Sequence, residues 1–211
     1  MCIDISTYQN ARHLQELKAA LREAKSYYSR RDPIQTFKSI GASGSMFRVF
    51  RRITKPSVVY QKWAFESVHS KEFEREVLSL QAQEEFERLH AHLGRSLARY
   101  WKSETRQELN LTYRYKILDV FVKRACQLEL PHPQMNNNLL SYGHVPMDSL
   151  VFNALDDLFS GIFPLRGLTM GQLKTESAYR FYQNVIRELM AELGSPALYF
   201  EYYAWNLGQG R

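Results

Sequence analysis

Residues 70–101 read SKEFEREVLSLQAQEEFERLHAHLGRSLARYW. Apolar side chains return at Phe73, Val77, Leu80, Phe86, Leu89 and Leu93, the recurrence of one face of a helix. Glu72, Glu74, Arg75, Glu84, Glu85 and Arg88 fill most of the other face. Ser70 stands where an N-cap belongs. The stretch therefore predicts a long charged helix, broken or bent at Gly94 ahead of Leu97, Tyr100 and Trp101.

The same period extends outward in both directions. Leu14, Leu17, Leu21 and Ala24 predict a helix over about Ser6 to Ser29, and Met46 to Ile53 predicts a short one that ends before Lys55-Pro56. Downstream, Ile117, Val120, Phe121 and Ala125 predict a helix from about Thr112 to Leu128, ended by Pro131-His132-Pro133. Asn136, Asn137 and Asn138 read as a loop or short turn. Asp148 sits at an N-cap position before Leu150, Val151, Leu155 and Leu158, with Gly161 and Pro164 as the stop. Tyr179, Tyr182, Ile186, Leu189 and Leu193 mark another helix, and Gly194 suits its C-terminal cap. Ser195-Pro196 then reads as the start of a last helix through Phe200, Tyr203 and Trp205. Strand-like alternation is scarce and no internal repeat is visible. The expectation is an all-α fold of roughly seven to nine helices. Residues 1–211 would form a single domain of one or two lobes, with a basic segment, 33–65, inside it.

The composition sets further bounds. The chain has 211 residues, 45% of them hydrophobic and 13% aromatic, enough for a sizeable core. No apolar run approaches the roughly 18–20 residues that span a bilayer, and MCIDISTYQN has neither the basic start nor the apolar stretch of a signal peptide. Two cysteines, Cys2 and Cys126, are too few for a disulfide scaffold or a four-thiolate zinc site. The expectation is a reduced, cytoplasmic protein with no membrane partner, its oligomeric state open.

Lys and Arg number 28 against 22 Asp and Glu, a net charge of +6 and a pI of about 9.3. The excess is local. From Pro33 to Phe65 there is no acidic residue, while Lys38, Arg48, Arg51, Arg52, Lys55 and Lys62 supply six positive charges. The run Gly41-Ala42-Ser43-Gly44-Ser45 lies among them, interleaved with Phe37, Phe47, Phe50, Tyr60, Trp63 and Phe65. Small residues beside clustered cations let a chain approach a phosphate backbone and neutralise it, so these six residues are the candidate nucleic-acid contacts. The plainer reading is a solvated basic face. There is no G-x-x-x-x-G-K-[ST] loop for a nucleotide.

Candidate chemistry is sparse. His90 and His92 would point about 200° apart around a helix and cannot share an ion. His132 and His144 flank a loop without an evident carboxylate–cysteine set, so no metal or other cofactor is expected. No G-x-S-x-G elbow occurs, and Cys126 falls in an apolar helix, as a core thiol does.

The most informative residues are Lys116-Ile117-Leu118-Asp119 and, after a loop, Pro146-Met147-Asp148-Ser149-Leu150-Val151. Together they resemble the catalytic half of the helix-hairpin-helix DNA glycosylase superfamily. There a K-x-x-D helix of the bifunctional members leads into a P-V-D-[TV]-H-V motif whose aspartate heads the next helix. The match covers about a quarter of the chain. The phosphate-gripping hairpin L-P-G-[VI]-G does not precede Lys116, Leu150 stands at the histidine position, and there is no C-terminal cysteine cluster. The resemblance implies an all-helical enzyme that everts a damaged or modified base from DNA and cleaves its N-glycosidic bond. Asp148 would be the essential carboxylate and Lys116 the nucleophile of an accompanying lyase activity.

Each residue also has a plainer role. Asp148 is what an ordinary N-cap looks like, Lys116 and Asp119 could be an intrahelical ion pair, and the aromatic tail could be core. Two other functions therefore stay open. One is a non-catalytic helical nucleic-acid-binding protein. The other is a protein-interaction module of a mobile-element or antiviral system.

Overall fold

The computed structural model describes residues 9–41, 44–163, 165 and 167–209. They form an all-α fold of nine α-helices. In chain order these are α1 (Ala11–Ser29), α2 (Pro56–Val68), α3 (Lys71–Leu78), α4 (Gln83–Thr105), α5 (Leu111–Ala125), α6 (Pro133–Tyr142), α7 (Ser149–Leu158), α8 (Glu176–Glu192) and α9 (Leu198–Gln209). Short 3₁₀ helices cover Phe37–Ile40, Gly44–Phe50 and Met170–Gln172. The extended pairing seen among the described residues is one isolated bridge between Asp32 and Leu128. None of the described helices is long and apolar enough to cross a membrane.

The stretch over 70–101 forms two helices. Ser70 caps α3 by accepting from the Phe73 amide, as expected, but the chain breaks at Ser79–Ala82 before α4 begins. Neither glycine nor proline marks that break. Gly94 does not interrupt α4. It lies where α4 passes α5, and a Cβ there would reach Leu118 at 3.5 Å.

Two helices go beyond the sequence reading. α2 begins with Pro56 at its first position; Tyr60, Trp63, Ala64 and Val68 are buried, but Val58, Val59 and Phe65 lie outside that buried face among the polar residues, so no clean amphipathic stripe betrays it. α6 occupies the asparagine run read as a loop. Pro133 begins this helix rather than ending the one before it. Asn136 Nδ2 donates to the carbonyls of Ala125, Cys126 and Leu128, closing the C-terminal end of α5, and Asn138 Nδ2 donates to the Val77 carbonyl.

The ends of the chain match in outline. Asn10 caps α1, which starts later than expected; residues 1–8 lie outside the described residues. Gly161 and Gly194 take positive φ after α7 and α8, as stop glycines do, whereas Pro164 lies outside the described residues. α9 begins at Leu198, and the Ser195 hydroxyl donates back to the Leu193 carbonyl instead of capping it.

α5 packs on α4, α6 and α2, while α9 packs on α1 and α7. Ile117, Leu118, Phe121, Val122 and Ala125 of α5 are buried against these neighbours, and so is Cys126 just beyond it. Burial pushes the Cys126 thiol up to about 12.

Candidate functional site

One face of α5 stays out of the core. Lys116, Val120, Lys123 and Arg124 recur at i, i+4, i+7 and i+8, so they project together. They line a cleft of about 510 Å³. Pro146 and Asp148, at the entry to α7, form a second side. Glu201 and Trp205, one turn apart on α9, form a third, with Tyr27 of α1 beside them. Lys38, Ser39, Gly41 and Met46 bring the basic segment to the rim. Ala42 and Ser43 lie outside the described residues.

The two motifs thus meet: Lys116 and Asp148 share this cleft. Asp148 caps α7, its Oδ1 accepting from the amides of Leu150 (2.9 Å) and Val151 (3.1 Å). Its other oxygen has no hydrogen-bond partner among the described residues. Lys116 is half-buried and likewise has no ion-pair or hydrogen-bond partner among the described residues. The intrahelical pair with Asp119 does not form. Asp119 is fully buried and takes hydrogen bonds from His90 and Tyr179 instead.

The sequence reading did not single out Lys123 and Glu201. Lys123 Nζ lies 2.5 Å from Glu201 Oε1, and the Tyr28 hydroxyl donates to Glu201 Oε2 at 3.3 Å. Burial holds the Glu201 carboxyl above its ordinary range against the pull of Lys123, and the charge of Asp148 pushes the same way. The Lys123 ammonium is 5.9 Å from the ring centroids of both Tyr27 and Trp205. Trp205 is 40% exposed, while Phe200 and Tyr203 on the same helix are core. The aromatic tail therefore divides between packing and the cleft. Helical spacing from Lys116 was the signal for Lys123; Glu201 needed the packing of α9 across α5's open face.

Arg124 is committed to structure. Its guanidinium donates to Asp32 (2.6 Å) and to the Ser39 carbonyl (2.9 and 3.2 Å), tying α5 to the basic segment. Of the six candidate nucleic-acid residues, Lys38 reaches the cleft. Arg48, Arg51, Arg52, Lys55 and Lys62 are exposed and have no acidic partner among the described residues.

The interleaving of aromatics and cations has a local cause. Gly44–Phe50 is 3₁₀, with three residues per turn, so Phe47 and Phe50 fall on one side. Phe47 packs on Tyr60 and Phe50 on Trp101, at centroid distances of 5.7 and 4.7 Å. Arg48 and Arg51 are left facing solvent.

Comparison with protein-family models, curated proteins and solved structures gives no match to this chain.

Proposed function

We propose that this chain binds DNA and hydrolyses the N-glycosidic bond of a damaged or modified base. The observation that carries the reading is that Lys116 and Asp148, named from two separate motifs, line one cleft, each with polar capacity unspent. A volume of about 510 Å³ falls in the roughly 300–1,000 Å³ range of small-ligand clefts and gives room for one everted nucleoside. Tyr27 and Trp205 offer flat apolar surfaces to the base, and the cations from Lys38 to Lys62, without acidic partners among the described residues, provide phosphate contacts.

The residues suit the chemistry. As the C1′–N bond breaks, positive charge develops on the sugar and the electron pair leaves with the base. The Asp148 carboxylate, fixed at a helix start, stabilises that charge without reorganising, and it can orient water. In the lyase branch, neutral Lys116 attacks C1′. The C1′–N bond to the base breaks, a Schiff base forms as the C1′–O4′ bond opens, and the two protons lost by the lysine nitrogen pass through solvent to the departing base and the freed ring oxygen.

The test is release of free base from duplex DNA carrying a panel of damaged and modified bases, with strand cleavage read in parallel. Release by the wild-type chain supports the reading. DNA binding with no release across the panel supports the second reading, a non-catalytic nucleic-acid-binding protein. The two capping hydrogen bonds of Asp148 favour that alternative, since they account for this residue without chemistry.

A further inference from the structure

Beyond the cleft, four polar side chains from distant parts of the chain meet in the core. They are His90 of α4, Asp119 of α5, His144 between α6 and α7, and Tyr179 of α8, none more than 3% exposed. His90 Nε2 is 2.8 Å from Asp119 Oδ1. The Tyr179 oxygen is 2.8 and 2.9 Å from the two Asp119 oxygens and 2.8 Å from His144 Nδ1. One ligand atom from each of His90, Asp119 and His144 lies within 4.8 Å of the other two.

Among the described residues, Asp119 is held by an imidazole and a phenol alone. Its carboxylate is completely buried, and no Lys or Arg ion-pairs with it among the described residues. Burying a carboxylate costs several kcal/mol unless opposite charge and hydrogen bonds compensate it. The surroundings are built like those of a metal-bound imidazole. His144 Nε2 faces Glu87 Oε1 at 2.7 Å, and Glu87 Oε2 accepts from Arg180 at 2.9 Å. A carboxylate holding one ring nitrogen orients the imidazole and leaves the other nitrogen as the ligand.

We infer that His90, Asp119, His144 and Tyr179 form a closed structural site for one divalent transition-metal ion of the zinc type. Two imidazoles, a carboxylate and a phenolate complete a four-coordinate shell of nitrogen and oxygen. Ligands on bonds of about 2.1 Å stand roughly 3.4 Å apart in a tetrahedron, so the hydrogen-bonded contacts of 2.8–2.9 Å have to open by about half an ångström and any wider separation, up to 4.8 Å, has to close. Binding has to release the Tyr179 phenol proton to solvent against burial and the neighbouring Asp119, which hold it well above its ordinary range, and both imidazoles bind through lone pairs. The ion would tie α4, α5 and α8 to the segment that delivers Asp148 four residues after His144. The site stands without the glycosylase reading, because it depends on no substrate.

The experiment uses the full chain stripped with EDTA and titrated with Zn(II) or Co(II) alone. The expected result is one tightly held ion per chain, proton release on binding, a higher melting temperature, and the visible absorption of four-coordinate Co(II). The group Glu72, Glu76 and His92, exposed at Glu72 and half-buried at the other two, is the internal control, since it too brings ligand atoms within 4.8 Å of one another. His92→Asn should keep the ion, and Asp119→Asn and His144→Asn should lose it. Should those two variants fail to fold, X-ray absorption of the wild-type zinc complex decides, with two imidazoles and two oxygens expected. The proposal is overturned by a wild-type chain whose melting temperature ignores stoichiometric zinc. A six-coordinate Co(II) spectrum, or loss of the ion in His92→Asn, also overturns it.

Discussion

Asp148 Oδ1 takes both capping bonds of α7, and the second oxygen is left for the cleft. That division makes its variants separable. In Asp148→Asn the amide oxygen still caps, so DNA binding and helix stability should hold while base release falls on the order of 10²-fold or more. Full activity in that variant would remove Asp148 from the chemistry. Asp148→Ala is the blunter change, losing the cap as well, at about 1 kcal/mol. Lys116→Gln should abolish any borohydride-trapped DNA adduct and leave simple hydrolysis; an adduct that persists would place the nucleophile elsewhere. A different residue-scale prediction concerns Cys126. With its thiol raised to about 12 by burial, it should resist alkylation at neutral pH in a Cys2→Ser background and react only on unfolding. Rapid labelling of the native chain would contradict the burial. Asp148 was legible because capping is a local rule that runs over three residues. Asp119 was not, because its partners His90 and Tyr179 lie 29 and 60 residues away, and only the fold brings them together.

At the scale of elements, α5 organises the site, and its C-terminal end rests on a neighbour. Three carbonyls at that end accept from the single Asn136 amide, which is buried. Asn136→Ala should cost about 1–3 kcal/mol, because the Cys126 carbonyl loses its partner while those of Ala125 and Leu128 keep only the amides of Leu128 and Leu130. Urea unfolding measures the loss, and hydrogen exchange should localise it to the last turn of α5. A stability within a few tenths of a kcal/mol of wild type would show that the end of α5 is held by other means. The helix that carries Asn136 was hidden from the sequence by its own chemistry. A Pro-His-Pro stop signal and three asparagines outweigh a short apolar pattern, although proline at the first helical position is as much a beginning as an end. α2 was hidden for the opposite reason. Periodicity reports a contrast between faces, and in α2 Val58, Val59 and Phe65 mix with Gln61, Lys62 and Glu66 outside the buried face and weaken it. Where contrast is strong, as in α1, α7 and α8, the helices appeared in the sequence with their stops in place.

For the whole molecule, the basic segment is the feature composition reveals most directly, while the cleft beside it is an outcome of packing. Both bear on how DNA would meet the protein. Arg48, Arg51, Arg52 and Lys55 are exposed, have no acidic partner among the described residues, and stand outside the aromatic anchors Phe47 and Phe50. Replacing all four with Ala therefore leaves the core contacts intact, and the melting temperature should change little. DNA affinity should respond differently. Each phosphate neutralised contributes about 0.9 to the slope of log affinity against log salt, so four lost contacts should flatten it by up to about four units. Lys38→Ala offers a contrast, since Lys38 borders the cleft: it removes at most about one unit of slope and should weaken base release more than its share of binding. The measurement is duplex affinity from low to moderate salt for wild type and both variants, with base release followed at saturating protein. A quadruple variant that folds normally and keeps the wild-type slope would take the segment out of the interface. DNA would then have to approach the cleft from α5, α7 and α9 alone.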